Sequence, residues 1–263
     1  MEEKIELHDN KMGTMPIKKL LMSMALPAIL SMTINALYNV VDSIFVSRIS
    51  EDALTAVSIV NPIQLMIIAL SVGSGVGINS LISRRLGAKN QEEADKAAST
   101  SIRIGLFNYL IFLVIGLFFT GVFVSGYAEK GTYIYEAACQ YFFIVCVGSL
   151  FINIQVVLEK VLQSTGNMVA PMLCSLTGAI VNIVLDPILI FGLLGMPEMG
   201  VAGAALATVA GQFCGMTVGI TIVLKGEHLV TIKIRGFKLD WQIVKDIYKV
   251  GLPSIVMQSI GSI

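Results

Sequence analysis

Charge is what this 263-residue chain has little of: 14% of its residues are Asp, Glu, Lys or Arg, against about 25% in a soluble domain. The deficit is concentrated. None of these four residue types occurs in 20–41, 53–83, 104–128, 137–158, 161–185 or 199–224. Every run has at least 22 residues, and about 20 apolar residues span a bilayer core roughly 30 Å thick. Six such runs exclude an ordinary water-surrounded domain. They predict an all-α polytopic membrane protein, a six-helix transmembrane bundle followed by the start of a seventh helix.

Other scarcities narrow the function. The formal net charge is zero, so there is no basic excess to recruit nucleic acid. The four cysteines, Cys139, Cys146, Cys174 and Cys214, lie in apolar runs without metal-type spacing and read as small packing residues. The two histidines, His8 and His228, fall in polar segments, so no metal centre and no cofactor is expected. "GSGVG" at 73–77 resembles a phosphate loop superficially, but it is mid-span and lacks the following Lys, which assigns it to close helix packing. No Ser–Lys pair or His/Asp cluster suggests an enzyme. The N-terminus "MEEKIELHDNKMGTMPIKKL" is acidic and mixed, unlike a cleavable signal peptide, so the first helix is expected to act as an uncleaved targeting signal.

What is present organises well. Helices are predicted at 20–46, 53–83, 92–124, 132–162, 168–191 and 201–224, and a seventh begins near Trp241 and runs to Ile263. Breakers fill the connectors: "SRISED", "SGYAEKGT", "QSTGN" and "GLLGMPEMG". This divides the chain into a segment 1–19, a bundle 20–224, a basic connector 225–240 and the start of a second bundle at 241–263. With the N-terminus inside, 16 of the 18 Lys and Arg residues fall on inner segments, and only Arg48 and Lys130 fall outside. That asymmetry predicts a multi-pass plasma-membrane protein with a cytoplasmic N-terminus. "LPAILSMTINAL" from Leu26 is matched by "LPSIVMQSIGSI" from Leu252, each preceded by lysines and each entering from the same side. Six helices between two such starts suggest a parallel duplication, with a pathway at the repeat interface. A second half of equal length would follow, so a further C-terminal six-helix bundle is expected.

Two carboxylates stand well inside the apolar runs, Asp42 and Asp186. Both helices run from inside to outside, and at 1.5 Å per residue Asp186 lies about 24 Å above Ala170, in the outer third, with Asp42 at a similar level. Carboxylates brought close together cannot both ionise cheaply, so such a pair takes up a proton or binds a cation. Asn182 is four residues from Asp186 and shares its face; Tyr38 has the same spacing to Asp42, with Asn35 one turn further. Thr208, about 10 Å into the returning helix, is at similar depth. Carboxylate, amide and hydroxyl oxygens suit a hard cation such as Na+. Pro187, with Pro27, Pro62 and Pro171, is either a fixed kink or a hinge.

The segments "LPAILSMTINALYNVVDSIFVSRIS", "ALTAVSIVNPIQLMIIALSVGSGVGINSLISRRLGAKN", "VLQSTGNMVAPM", "NIVLDPILIFG" and "EMGVAGAALATV" resemble, in order, the multidrug and toxic compound extrusion (MATE) family. The resemblance covers 15–263. It implies two six-helix bundles related by a twofold axis along the membrane normal, and exchange of H+ or Na+ for cationic, amphipathic drugs. It further implies a cation site at Asp42, Asn182, Asp186 and Thr208, with Tyr38, Asn35, Asn153 and Gln258 lining the cavity. Gln258 stands where one subgroup carries an acid early in the seventh helix, which points to the DinF-like subgroup. A lipid-linked oligosaccharide flippase of the same superfamily is the alternative. It would be expected to line its cavity with cations, whereas here Lys and Arg avoid the spans.

Overall fold

The computed structural model describes residues 15–225, 230–232 and 240–260. Much of the expected N-terminal segment 1–19 and of the connector 225–240, and the last residues to Ile263, therefore lie outside the described residues. Among those described there is no strand. The helices are α1 (Ile17–Ser47), α2 (Glu51–Gly87), α3 (Gln91–Phe118), the short α4 (Thr120–Val124), α5 (Tyr133–Ser164), α6 (Val169–Phe191), α7 (Gly200–Lys225) and α8 (Trp241–Ser259). A 3-10 turn, Leu193–Gly195, precedes α7. The chain is an all-α multi-pass membrane protein: α1, α2, α3, α5, α6 and α7 are each long and apolar enough to cross a bilayer.

Helix starts follow from their caps. The side chains of Ser50, Asn90 and Thr132 accept the backbone N–H groups of Ala53, Glu93 and Tyr135. Gly192 ends α6 in the left-handed region at φ +68°, where a Cβ would stand 2.8 Å from the Glu198 nitrogen. The predicted helix 92–124 is interrupted at Phe119 instead of running through. There the Thr120 hydroxyl donates to the Gly116 carbonyl at 2.6 Å, a side-chain bond that competes with the helix ladder.

α5 lies at the centre, packed against α2, α3 and α7; α6 pairs with α7 and carries α1 on its other side. Large apolar side chains such as Phe107, Leu110, Phe118 and Val122 face outward, as a lipid-facing surface requires. The interior combines apolar clusters with small and polar residues between the helices, and Phe142, Ile67 and Leu162 are among its largest buried side chains. Glycine lets backbones touch: a Cβ on Gly203 would stand 2.5 Å from the Leu189 carbonyl oxygen. "GSGVG" performs this packing role against α8, with Gly73 facing Ile255 and Gly77 facing the carbonyl of Ile247.

A buried polar chain ties α8 to the bundle. The Tyr248 hydroxyl donates to Asn108 Oδ1 at 3.1 Å, and Asn108 Nδ2 donates to Ser74 Oγ at 3.1 Å. Asn108 is 1% exposed, so truncation strands two partners. We expect Asn108→Ala to cost about 1–3 kcal/mol, read as a lowered melting temperature of the detergent-solubilised protein.

Candidate functional site

α1 reaches the bundle mainly along α6, and that contact sets Asp42 beside Asp186. The two carboxyl groups lie within hydrogen-bonding reach of each other. Asp186 is 0% exposed, Asn182 2% and Thr208 3%, so α6 and α7 bury the polar ends of all three. With its amide oriented to satisfy both neighbours, Asn182 Nδ2 donates to Asp186 Oδ2 at 3.0 Å, while its oxygen accepts the Thr208 backbone N–H at 3.1 Å. The i, i+4 spacing read from the sequence is what aligns Asn182 with Asp186. α7 is brought close enough by glycine: a Cβ on Gly211 would stand 2.6 Å from the Gly178 carbonyl oxygen and 3.3 Å from Asn182 Cβ.

Asp42 Oδ1 is buried and has no hydrogen-bond partner among the described residues. A second carboxyl group beside it offers oxygen and no obligatory hydrogen. Such an arrangement is costly for two anions and becomes favourable once a proton or a small cation is shared between them. The donor set fits H+ or Na+, namely two carboxyls, an amide and a hydroxyl. The residues therefore suit ion binding.

Tyr38 also joins the group. Its hydroxyl lies within hydrogen-bonding reach of the Thr208 side chain, beside both carboxyl groups. Two further neighbours escaped the reading of the sequence. Tyr141 on α5 is 1% exposed, lies near Asp42, Tyr38 and Asp186, and donates to Gln64 Oε1 of α2 at 3.5 Å. Tyr141 was indistinguishable from the aromatic lining of an apolar run. Gln64, one of three amides in the charge-free run 53–83 and two residues after Pro62, was the available signal.

Of the other expected cavity residues, Asn153 packs inside the bundle, while Asn35 and Gln258 stand on α1 and α8. Asn153 is 1% exposed inside the bundle, accepting from Ser71 Oγ at 2.9 Å and donating to the Ser149 carbonyl at 2.8 Å. It ties α5 to α2 rather than lining a surface, because its helical turn faces α2. Asn35 is exposed on α1, on the helix face that carries Tyr38 and Asp42. Gln258 sits on α8, donating to Ser254 Oγ at 3.4 Å along its own helix.

Comparison with known proteins places this geometry. The MatE family model matches residues 27–188. Multidrug export protein MepA of Staphylococcus aureus (strain MRSA252) is 26% identical over 243 residues, which are 92% of this chain and 53% of MepA. The probable multidrug resistance protein NorM of Thermotoga maritima is 26% identical over 240 residues, 91% of this chain and 51% of NorM. Among solved structures, the outward-facing conformation of a multidrug resistance MATE family transporter superposes with a TM-score of 0.84 at 33% identity, covering 92% of this chain and 52% of that one. An inward-facing conformation of such a transporter gives 0.79 at 32% identity, covering 89% and 55%. The chain thus spans about half the length of the relatives it matches. With the family model matching more than half of its residues and the helical bundle superposing on solved members, the chain belongs to the MatE family, the MATE membrane transporters.

Proposed function

We propose that this chain is the N-terminal half of a secondary multidrug antiporter, which exports cationic, amphipathic compounds in exchange for H+ or Na+. The observation that carries the reading is the contact between Asp42 and Asp186, with Asn182 and Thr208 around it. In the outward-facing state the pair takes a cation from outside. Neutralising the buried charge lets α1 repack along α6, with Pro27 as its bend, and the drug departs. Release of the ion inside resets the cycle. A gradient supplies the energy, and the protein's part is to bind, neutralise and move.

The organisation proposed with this is a bundle over 20–224, a cytoplasmic connector over 225–240, and α8 as the first helix of a second bundle lying beyond Ile263. The N-terminus is cytoplasmic, the membrane is the plasma membrane, and Gln258 in α8 favours the DinF-like subgroup. The oligosaccharide-flippase alternative is disfavoured because oxygen donors and carboxyl groups, rather than cations, cluster at depth.

The test is reconstitution of the full-length transporter in proteoliposomes. An imposed H+ or Na+ gradient is expected to drive ethidium, a cationic and amphipathic dye, across the membrane. Equal ethidium flux with and without either gradient would remove the antiport reading. Orientation is checked separately by cysteine labelling. Single cysteines replacing Lys130 should react with an impermeant reagent added outside intact cells, and cysteines replacing Lys89 should not.

A further inference from the structure

Three polar side chains that take no part in the Asp42–Asp186 cluster meet nearer the inner end of the bundle. Glu159, half-buried on α5, accepts from Gln155 Nε2 at 2.9 Å and lies within hydrogen-bonding reach of Ser175 on α6. Opposite them α7 carries Gly215. A Cβ there would stand 2.8 Å from Gln155 Oε1 and 2.9 Å from the Cys174 carbonyl oxygen. Glycine thus lets α7 pack directly against two oxygens, with the Glu159 carboxylate joined to the same amide.

This group is in register with the outer cluster. Ser175 and Asp186 are 11 positions apart on α6, which at 1.5 Å and 100° per residue means about 16 Å of separation on the same face. Gly178 and Asn182 occupy that face between them, and α7 answers with Thr208, Gly211 and Gly215. Midway, Gly178 and Gly211 bring the two backbones into contact. The α6–α7 seam therefore carries an oxygen group in its outer part, a glycine contact, and a second oxygen group in its inner part.

The ionisable groups acting on Glu159 are Lys160 of its own helix and the Cys174 thiol of α6; α7 presents glycine. Lys160 is directed elsewhere, donating to Gln163 Oε1 at 3.0 Å with its stem against Gly75 of α2. A carboxylate at this depth is costly unless it serves a pathway or a partner.

We propose that Glu159, Gln155, Ser175 and the Cys174 carbonyl around Gly215 form a second, inner site for a small monovalent cation, H+ or Na+, on the α6–α7 seam. The proposal rests on the antiport reading above. An ion leaving Asp42 and Asp186 for the cytoplasm is held at Glu159 before release. All the donors are hard oxygens, as for the outer site.

The experiment uses full-length protein in proteoliposomes, with ethidium as the transported probe and either pH or Na+ varied on the cytoplasmic face. In the wild type, raising the driving cation on that face slows transport, and the pH and Na+ arms identify which cation acts. Glu159→Gln is expected to raise the half-inhibiting cytoplasmic concentration about tenfold, leaving the dependence on the external face unchanged. Ser175→Ala is expected to shift it in the same direction by less, and guards against misfolding of the first variant. An unshifted curve in both variants, with Asp186→Asn inactive, overturns the inner site and leaves the antiport reading standing. An active Asp186→Asn overturns both.

Discussion

Asp186→Asn in the full-length transporter is expected to cut gradient-driven ethidium transport about 100-fold or more, with membrane expression unchanged. An interaction with a charged ligand is worth roughly 3 kcal/mol, and each 1.4 kcal/mol is tenfold. Asn matches Asp in size and can still accept from Asn182 Nδ2, so the α6–α7 packing should survive. What it cannot do is exchange a proton or carry the charge that holds Na+. Asp186 is 0% exposed, so no water stands in for the lost carboxylate. Drug resistance of cells expressing the variant provides the check, and resistance equal to wild type would falsify the assignment of Asp186.

Gly77→Val should have the largest effect on stability. Gly77 is buried, and a Cβ there collides with the backbone carbonyl of Ile247 on α8, which cannot rotate away as a side chain can. Overpacking of this kind costs about 1–3 kcal/mol. The cost falls on the α2–α8 seam, the same seam that Tyr248 and Asn108 bridge. Two other glycines of α2 provide internal standards. At Gly75 the nearest atom, at 2.7 Å, is Cγ of the flexible Lys160 side chain, and at Gly87 nothing lies within 4 Å. The expected order of destabilisation is Gly77→Val, then Gly75→Ala, then Gly87→Ala with little or no loss. A thermal-melt series on the solubilised protein reads it directly. Equal melting temperatures across the series would mean that α8 does not rest on α2 as described.

The helices were legible because a bilayer imposes length and hydropathy together. Runs without charge between Gly, Asn and Ser breakers leave little freedom, and the bounds of α6 and α7 agree with the expectation to within a residue. The break at Phe119 was not legible. It depends on where a single threonine hydroxyl turns, and threonine sits equally well inside α7. Asp42 and Asp186 stood out because a carboxylate in an apolar run has few cheap explanations. Asn182 followed from spacing on one helix, and Thr208 from depth.

Tyr141 and Gln64 could not be read in the same way, since Tyr141 reaches the acids, and Gln64 reaches Tyr141, only through the packing of α5 against α2 and α7. Glu159 was hidden differently: it sits just past the end of a charge-free run, where a helix-end residue facing water is the simplest expectation. Asn153 and Asn35 show the converse limit. An asparagine in a span is polar wherever it points, and only the neighbouring helix decides whether it packs or faces outward.

The central claim is that Asp42 and Asp186 share the coupling ion that the drug displaces. The most direct measurement is release of bound H+ or Na+ from the purified full-length transporter on addition of ethidium. H+ is followed with a pH dye in weakly buffered solution and Na+ with an ion electrode. The account predicts release of one of the two ions by the wild type, and none by the Asp42→Asn/Asp186→Asn double variant. Undiminished release from that double variant would contradict it.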